Sequence, residues 1–167
     1  KAAEYVQEDV TKIDWEAKEI ILESGQRLPY DELIIATGTV PRPDMVPGMA
    51  DGELWYKKVF DFYTLKGAVG LKKAVEKMER GRLVVNICEM PIKCPVAPLE
   101  FVLLAQDYMR KRGHGFDVDI VLVTPLDGAF TKPVASEALG TLLAERGIEV
   151  VTDFQIESID NETAELV

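Results

Sequence analysis

The fold is decided by residues 82–123, which read RLVVNICEMPIKCPVAPLEFVLLAQDYMRKRGHGFDVDIVLV. Two short apolar runs, at 82–88 and 118–123, predict buried strands, and residues 98–112 between them predict a helix that ends at Gly113. The first turns of this helix are apolar on nearly every side, which predicts burial between two layers. A strand, a helix and a second strand in this order indicate that the two strands are parallel.

The same alternation continues on both sides of this stretch. Residues 61–80 predict an earlier helix that stops at Gly81, and residues 134–146 predict a later helix that is closed by Gly147. A further strand is expected at 148–151. The whole pattern is typical of an α/β fold built on a Rossmann-like, doubly wound parallel sheet.

The first 48 residues predict a different structure, an antiparallel β-meander appended to that sheet. Its three strands are expected at 5–13, 19–22 and 33–36, and the last should be buried because it reads Leu-Ile-Ile-Ala. Three prolines between residues 41 and 47 then exclude a helix interior or a central strand. We therefore predict two domains, at residues 1–48 and 49–167.

One pattern occurs twice in the chain. Residues 10–21 and 156–167 carry apolar and acidic residues at matching positions, with an offset of 146 residues throughout. The repeat predicts either two ordinary strand–turn–strand hairpins or a duplicated dinucleotide-domain plan. In the second case each half carries a meander after its β-α-β core.

The composition limits the classes of function. The 167 residues include 29 acidic and 19 basic ones, and the resulting net charge of −10 disfavours a nucleic-acid partner. The apolar runs are shorter than the roughly 18 residues of a membrane span, which predicts a soluble chain. The sequence opens at Lys1 without an initiator Met, and this opening predicts a piece excised from a longer protein.

The loop between the first predicted strand and helix has unusual chemistry for this fold. In a dinucleotide-binding unit it is rich in glycine, because only glycine lets the backbone and the helix N-terminus approach a pyrophosphate. Here residues 82–112 contain no glycine. Thr124-Pro125 follows the next strand, where an acid would hold the ribose hydroxyls. Two requirements for binding NAD are therefore missing.

That loop offers Cys94 instead. It follows Lys93 and precedes a helix N-terminus, and both features favour a thiolate, which sulfur exchange requires. The alternative is a buried, inert cysteine in a Pro-rich turn. Cys88 ends a strand and reads as a core residue. Five residues separate the two cysteines, which fits neither a redox pair nor a zinc site, so no metal is predicted.

Glu100 lies in the first turn of the helix that follows Cys94. An acid there complements the helix dipole and bonds free backbone amides, as in a capping box. The other interpretation is that Glu100 transfers a proton for the substrate of the cysteine.

A second candidate site is the strand end formed by Ala36, Thr37 and Gly38. A buried strand that ends in a small residue, a hydroxyl and a glycine lets a flat cofactor lie close to the backbone. The Tyr30-Asp31 pair before the strand and the prolines after it strengthen this interpretation.

These two motifs resemble a known family. Residues 30–38 resemble the second FAD-contacting motif of the pyridine nucleotide-disulfide oxidoreductase superfamily. Residues 91–100 (PIKCPVAPLE) resemble the cysteine motif of its sulfide:quinone oxidoreductase and flavocytochrome c sulfide dehydrogenase branch. The resemblance covers essentially the whole chain, as an internal slice. It implies that residues 1–48 end a FAD-binding domain and that residues 49–167 are a second, glycine-less Rossmann-like domain.

The resemblance also implies roles for single residues. Cys94 matches the central cysteine of the family, and Glu100 matches the acid six positions later. Ala36, Thr37 and Gly38 match the flavin-contacting strand end. Family members oxidise sulfide through a cysteine pair close to FAD and pass the electrons to a quinone. The upstream cysteine of many bacterial members and the downstream histidine of some have no match here, so a related small sulfur species is an open alternative to sulfide.

The resulting prediction is part of a FAD-dependent sulfide:quinone-type oxidoreductase, with sulfide and a quinone as its partners. Its complete parent is expected to be cytoplasmic or peripheral to a membrane, and a homo-oligomer is compatible with the sequence. The chain alone is expected neither to retain FAD nor to turn over. Two alternatives are an NAD(P)H-dependent FAD disulfide reductase or dehydrogenase, and a non-catalytic Rossmann-like docking domain.

Overall fold

The computed structural model describes residues 3–115 and 117–167, which form two compact units that divide after Gly38. The division falls before the predicted boundary at residue 48, so the Pro-rich segment that begins at Thr39 groups with the second unit. The assignment of the two parts to a FAD-binding domain and a second Rossmann-like domain stays a prediction.

The first unit contains an antiparallel three-stranded sheet in the order β1-β2-β3. The strands are β1 (Val10–Asp14), β2 (Glu19–Leu22) and β3 (Arg27–Pro29). The predicted meander is therefore present, but its third strand is β3 and not the expected buried strand at residues 33–36.

The apolar run at residues 33–36 forms no strand, and the prediction that it is buried is wrong. Ile34 is 90% exposed and Ile35 is 57% exposed. An extended segment becomes a strand only where a neighbour satisfies its backbone groups. β3 takes the place beside β2, and no strand in the described ranges pairs with residues 33–36.

The repeated pattern forms the same turn in both copies. Ile13 pairs with Ile20 in the first copy, and Ile159 forms an antiparallel bridge with Leu166 in the second, at the same offset of 146 residues. In each copy an aspartate caps the turn: the amide of Ala17 donates to Asp14 Oδ1 (3.0 Å), and the amide of Thr163 donates to Asp160 Oδ1 (2.8 Å).

The backbone of the two turns also agrees. Lys18 and Ala164, which occupy equivalent positions, both have a positive φ, at 53° and 64°. Residues other than glycine rarely adopt this left-handed backbone conformation. The two copies therefore share one turn geometry, and the choice between a duplicated plan and two ordinary hairpins stays open.

The second unit is built on a parallel sheet in the order β4-β5-β6. Its strands are β4 (Gly81–Asn86), β5 (Val118–Val123) and β6 (Glu149–Val151), and its helices are α1 (Leu65–Lys77), α2 (Ala97–Lys111) and α3 (Pro133–Glu145). Both strand pairs are parallel. The predicted Rossmann-like α/β fold with an additional antiparallel sheet is therefore confirmed. No helix among the described residues is long and apolar enough to cross a bilayer.

The main core lies between α2 and one face of this sheet. It consists of buried residues from β4, β5, α2 and their neighbours, among them Val85, Ile120, Leu122, Leu99, Val102, Ala105 and Met109. The helix residues recur at intervals of three or four and so form one apolar stripe. The expectation that α2 is buried on nearly all sides is wrong, because Leu104 is 69% exposed. The side of α2 that carries Leu104 faces away from the sheet.

Helix α1 begins later than residue 61, where its start is predicted. Asp61 instead forms a turn that leads into the helix, and Thr64 is the N-cap, whose hydroxyl accepts a hydrogen bond from the amide of Gly67 (2.9 Å). At its other end, α1 is tied to α2, since Arg112 Nη1 donates to the carbonyl of Val75 (3.2 Å).

Two helix glycines lead to opposite predictions. A Cβ atom on Gly67 in α1 would collide with Asp61, whereas one on Gly140 in α3 would meet no atom within 4 Å. We expect Gly67→Ala to lower the free energy of unfolding by about 1–3 kcal/mol, because the added methyl group would overpack the contact with Asp61. Gly140→Ala should raise it by about 0.5–1 kcal/mol. Urea unfolding of the two variants measures the difference, and a stabilising Gly67→Ala would contradict the packing described here.

Candidate functional site

The candidate site is the loop at residues 87–96, which leaves the carboxyl end of β4 and enters α2. Cys94 lies near the end of this loop, and it is exposed. Its carbonyl oxygen accepts a hydrogen bond from the amide of Ala97 (3.1 Å), the first residue of α2. Cys94 is therefore not buried, and its thiol is open to small reagents.

Glu100 follows on the first turn of α2 and is also exposed. Its amide donates to the carbonyl of Val96 (3.0 Å), but Val96 is the N-cap and has no side-chain oxygen with which to form a capping box. Glu100 thus sits beside the positive end of the helix dipole. No hydrogen bond joins its carboxylate to Cys94 among the residues that the structure describes.

A segment ahead of α1 packs against the cysteine loop. Tyr63 Oη donates to the carbonyl oxygen of Cys94 at 3.4 Å, a long hydrogen bond across 31 positions of sequence. The neighbouring Phe62 stacks on Phe101 of α2, with ring centroids 5.1 Å apart and an interplanar angle of 18°. The segment therefore touches both the loop that holds Cys94 and the helix that follows it.

The Tyr63 hydroxyl is held in its protonated form. Partial burial raises the pKa of the phenol above its ordinary value, and the negative charge of an ionised Cys94 raises it further. At neutral pH the hydroxyl is therefore a hydrogen-bond donor beside the cysteine.

Cys88 lies in a different environment at the start of the same loop. Its Sγ donates to Asn86 Oδ1 (3.2 Å), and its carbonyl oxygen accepts from Gln155 Nε2 (3.0 Å). Burial raises the pKa of the thiol, and the charge of Glu89 adds to the shift. The thiol thus stays protonated above the pH at which a free cysteine ionises, which agrees with its interpretation as a structural residue.

The two cysteines should therefore differ in reactivity. Because the thiolate is the nucleophile, we expect iodoacetamide at pH 8 to modify Cys94 at least about tenfold faster than Cys88. Modification of Cys88 should begin only at a pH above the range in which a cysteine of the unfolded chain ionises. Mass spectrometry of the two cysteine peptides over time measures both rates. Equal rates in the folded chain, or a faster Cys88, would contradict these environments.

The carboxyl end of β5 contains no ribose-binding acid. Thr124 follows β5 directly and is fully buried. Its hydroxyl accepts a hydrogen bond from the amide of Leu126 (3.2 Å), and its own amide donates to Val151 (2.9 Å). The hydroxyl and the amide of Thr124 are therefore both engaged in hydrogen bonds within the second unit.

The predicted flavin-contacting residues lie in the first unit. Ala36, Thr37 and Gly38 are exposed and belong to no strand. Gly38 has a φ of +74°, and no atom lies within 4 Å of where its Cβ would be. The predicted end of a buried strand is absent here, because residues 33–36 form no strand, and contact of these three residues with a flavin stays a prediction.

An open groove of about 790 Å³ lies elsewhere in the second unit, along α3 and β6. Its walls come from the loop after β5, from α3 and from β6, and they include Ser136, Gly140 and Thr152. Neither Cys94 nor Glu100 lines it, so the groove is separate from the candidate chemistry.

Sequence reasoning missed the two residues that brace the cysteine loop, Asp61 and Tyr63. The Asp-x-x-Thr spacing at 61–64 marks a helix start and could have indicated the turn. The contact between Tyr63 and Cys94 has no local signal, because it forms only when the segment packs against α2.

Comparisons with known proteins point to one group of enzymes, although no family model matches the chain. The mitochondrial sulfide:quinone oxidoreductase of Mus musculus is 26% identical over 147 residues, which cover 88% of this chain and 32% of that protein. The alternative NAD(P)H-ubiquinone oxidoreductase C1 of Arabidopsis thaliana is 26% identical over 145 residues, covering 84% of this chain and 26% of that protein. This chain thus spans about a third of the length of the curated relatives that it matches.

The fold agrees with the sequence comparison. The X-ray structure of the sulfide:quinone oxidoreductase from Aquifex aeolicus superposes with a TM-score of 0.77 and 21% identity, covering 98% of this chain and 40% of that one. The resemblance predicted from the cysteine and Ala-Thr-Gly motifs is therefore confirmed: over most of its length this chain is similar in sequence and in fold to sulfide:quinone oxidoreductases.

Proposed function

We propose that this chain carries the reactive cysteine of a FAD-dependent oxidoreductase that oxidises sulfide, or a related small sulfur species, and passes the electrons to a quinone. The observation that carries the proposal is the exposed Cys94 on the loop between β4 and α2. This is the place where dinucleotide-binding domains have their glycine-rich turn. Here a stiff, Pro-rich loop presents a thiol instead.

In this proposal the sulfur of hydrosulfide becomes bonded to Cys94 as a persulfide. The net change, Cys–S⁻ + HS⁻ → Cys–S–S⁻ + H⁺ + 2e⁻, breaks an S–H bond, forms an S–S bond and proceeds only with a two-electron oxidant, which bound FAD would be. Cys94 is exposed and lies two residues before the N-cap of α2, so hydrosulfide can reach its sulfur. Glu100, exposed on the first helical turn, accepts a proton that sulfide gives up.

FAD, when bound, supplies the two-electron acceptor for this step. Ala36, Thr37 and Gly38 are the residues of this chain proposed to contact it, because their exposed backbone admits a flat ring system. The electron acceptor that follows is proposed to be a quinone, on the basis of the names of the relatives. Since quinones reside in membranes, the complete enzyme is proposed to associate with a membrane surface.

This chain alone is expected to retain little FAD. These 167 residues match about a third of the length of the relatives, and Ala36, Thr37 and Gly38 are the flavin contacts proposed for them. We expect the purified chain to show no stoichiometric flavin absorbance, even after incubation with excess FAD. A yellow chain with one FAD per molecule would contradict this expectation.

A second candidate, an NAD(P)H-dependent flavoprotein, is favoured by the likeness to the Arabidopsis enzyme. The absence of glycine from residues 82–112 and the buried Thr124 argue against it.

An anaerobic titration of the full-length flavoprotein separates the two. Sulfide should bleach the oxidised flavin with a stoichiometry of one, and NADH and NADPH should not. Reduction by NADH with no reduction by sulfide would favour the second candidate.

A further inference from the structure

We infer that Tyr63 is a positioning residue for Cys94, its hydroxyl tethering the loop that presents the thiol. The inference rests on the proposed function of Cys94 and adds a residue that lies 31 positions earlier in the sequence. The structural basis is the hydrogen bond from Tyr63 Oη to the carbonyl oxygen of Cys94, at 3.4 Å. Tyr63 acts on the main chain of the cysteine and not on the substrate.

Tyr63 can serve as a tether because its own backbone is fixed. Asp61 Oδ1 accepts hydrogen bonds from the amides of Tyr63 (2.9 Å) and Thr64 (2.6 Å). Asp61 Oδ2 accepts from the hydroxyls of Thr64 (3.0 Å) and Tyr56 (3.2 Å). The carboxylate of Asp61 thus binds two backbone amides and two hydroxyls, which fixes the turn at 61–64. This turn continues directly into α1.

The turn is also braced against the helix that begins beyond Cys94. Phe62 stacks on Phe101 of α2 and packs on the main core. The rings of Phe62 and Tyr63 lie 5.0 Å apart, so the phenol is held beside an anchored neighbour. Tyr63 therefore joins the loop to a part of the second unit that is itself packed against the sheet.

The tether fixes the peptide group that follows Cys94. The carbonyl oxygen of Cys94 receives two donors, the amide of Ala97 (3.1 Å) from α2 and the hydroxyl of Tyr63 from the opposite segment. With this carbonyl held, the backbone torsions at Cys94 are restricted, and with them the direction of the Cα–Cβ bond. The sulfur of an exposed loop residue thereby keeps a constant position, which group transfer requires.

The test compares two phenol-to-phenyl variants in the second unit. Tyr63→Phe keeps the ring and removes the donor to Cys94, whereas Tyr108→Phe removes a partly exposed hydroxyl on α2 that forms no hydrogen bond with the described residues. The chain is labelled with ¹³Cβ-cysteine, which gives two signals that the variants Cys94→Ser and Cys88→Ser assign. We expect Tyr63→Phe to shift or broaden the Cys94 signal and to leave the Cys88 signal in place. Tyr108→Phe should leave both signals unchanged.

A kinetic arm measures the consequence for the proposed reaction. In the full-length flavoprotein, Tyr63→Phe should lower the rate constant of flavin reduction at saturating sulfide about tenfold, as misplacement of a reacting group does. The sulfide concentration for half-maximal rate should change by less than about twofold, because the substitution does not remove a contact that binds sulfide. A Cys94 signal that is unchanged in Tyr63→Phe, or altered equally in both variants, would overturn the inference.

The two arms separate failure of the inference from failure of the function. If the unaltered flavoprotein is not reduced by sulfide, the proposed function is wrong, and the cysteine signals still decide whether Tyr63 positions Cys94. If sulfide reduces it and Tyr63→Phe reacts at the unaltered rate, Tyr63 has no positioning role and the function stands.

Discussion

Replacing Cys94 with serine should slow sulfide-dependent reduction of the flavin at least 100-fold in the full-length flavoprotein. A serine hydroxyl has nearly the same size, but it is not ionised at neutral pH and has no activating base hydrogen-bonded to it among the described residues. It therefore cannot bond to a sulfide sulfur at a useful rate. Removing a nucleophile typically costs 10³-fold or more, so 100-fold is a lower bound. Stopped-flow absorbance of the flavin after mixing with sulfide measures the rate.

The matched control for this variant is Cys88→Ser. Cys88 is partly buried and its thiol donates to Asn86, so the substitution preserves a donor and should leave the reduction rate within about threefold. A docking domain without catalysis would be indifferent to both substitutions. An unaltered rate in Cys94→Ser, with flavin still bound, would therefore remove the cysteine from the mechanism.

Truncating Leu122 to alanine should lower the free energy of unfolding by about 3–5 kcal/mol. Leu122 is 0% exposed and lies on β5, the middle strand of the parallel sheet, facing the core beneath α2. Its loss removes buried apolar area and leaves a cavity that the paired strands on both sides cannot close. Since α2 follows the Cys94 loop, this variant should also loosen the site.

Leu104→Ala is the control of the same residue type. Leu104 lies on α2 and is mostly exposed, so its truncation should change the stability by less than about 0.5 kcal/mol. Urea denaturation followed by circular dichroism gives both values. If Leu104→Ala were as damaging as Leu122→Ala, the exposed side of α2 would have to be covered in solution.

The parallel part of the fold is predictable from sequence because its signals are local and strong. β5 was expected at residues 118–123, and it spans Val118–Val123. Strands that are buried on both faces read as continuous apolar runs, and glycines with positive φ at 113 and 147 end the helices between them. The repeat at 10–21 and 156–167 was equally visible, because turn and register are both encoded within twelve residues.

The errors occur where the outcome depends on distant neighbours. Residues 33–36 are as apolar as β5, but an apolar run becomes a buried strand only if other strands receive it. The same holds for Leu104, whose burial depends on whether a second layer covers α2. The predicted start of α1 is too early because the sequence does not distinguish Asp61 from a helix residue, whereas its carboxylate stabilises the turn before the helix.

The position of the candidate site was predictable, and its surroundings were not. That Cys94 precedes the helix N-terminus in a Pro-rich loop follows from the sequence alone. That the loop is also held by Tyr63, and that Cys88 donates to Asn86, could emerge only from the packed structure. The roles of Cys94, Glu100 and residues 36–38 stay predictions.

The central claim is that Cys94 receives the sulfur of sulfide, and peptide mass spectrometry of the full-length flavoprotein tests it most directly. The enzyme is mixed anaerobically with sulfide for one turnover without quinone, and its thiols and persulfides are then trapped by alkylation. We predict one added sulfur atom on the peptide that contains Cys94 and none on the peptide that contains Cys88. A reduced flavin with an unmodified Cys94 would contradict the account.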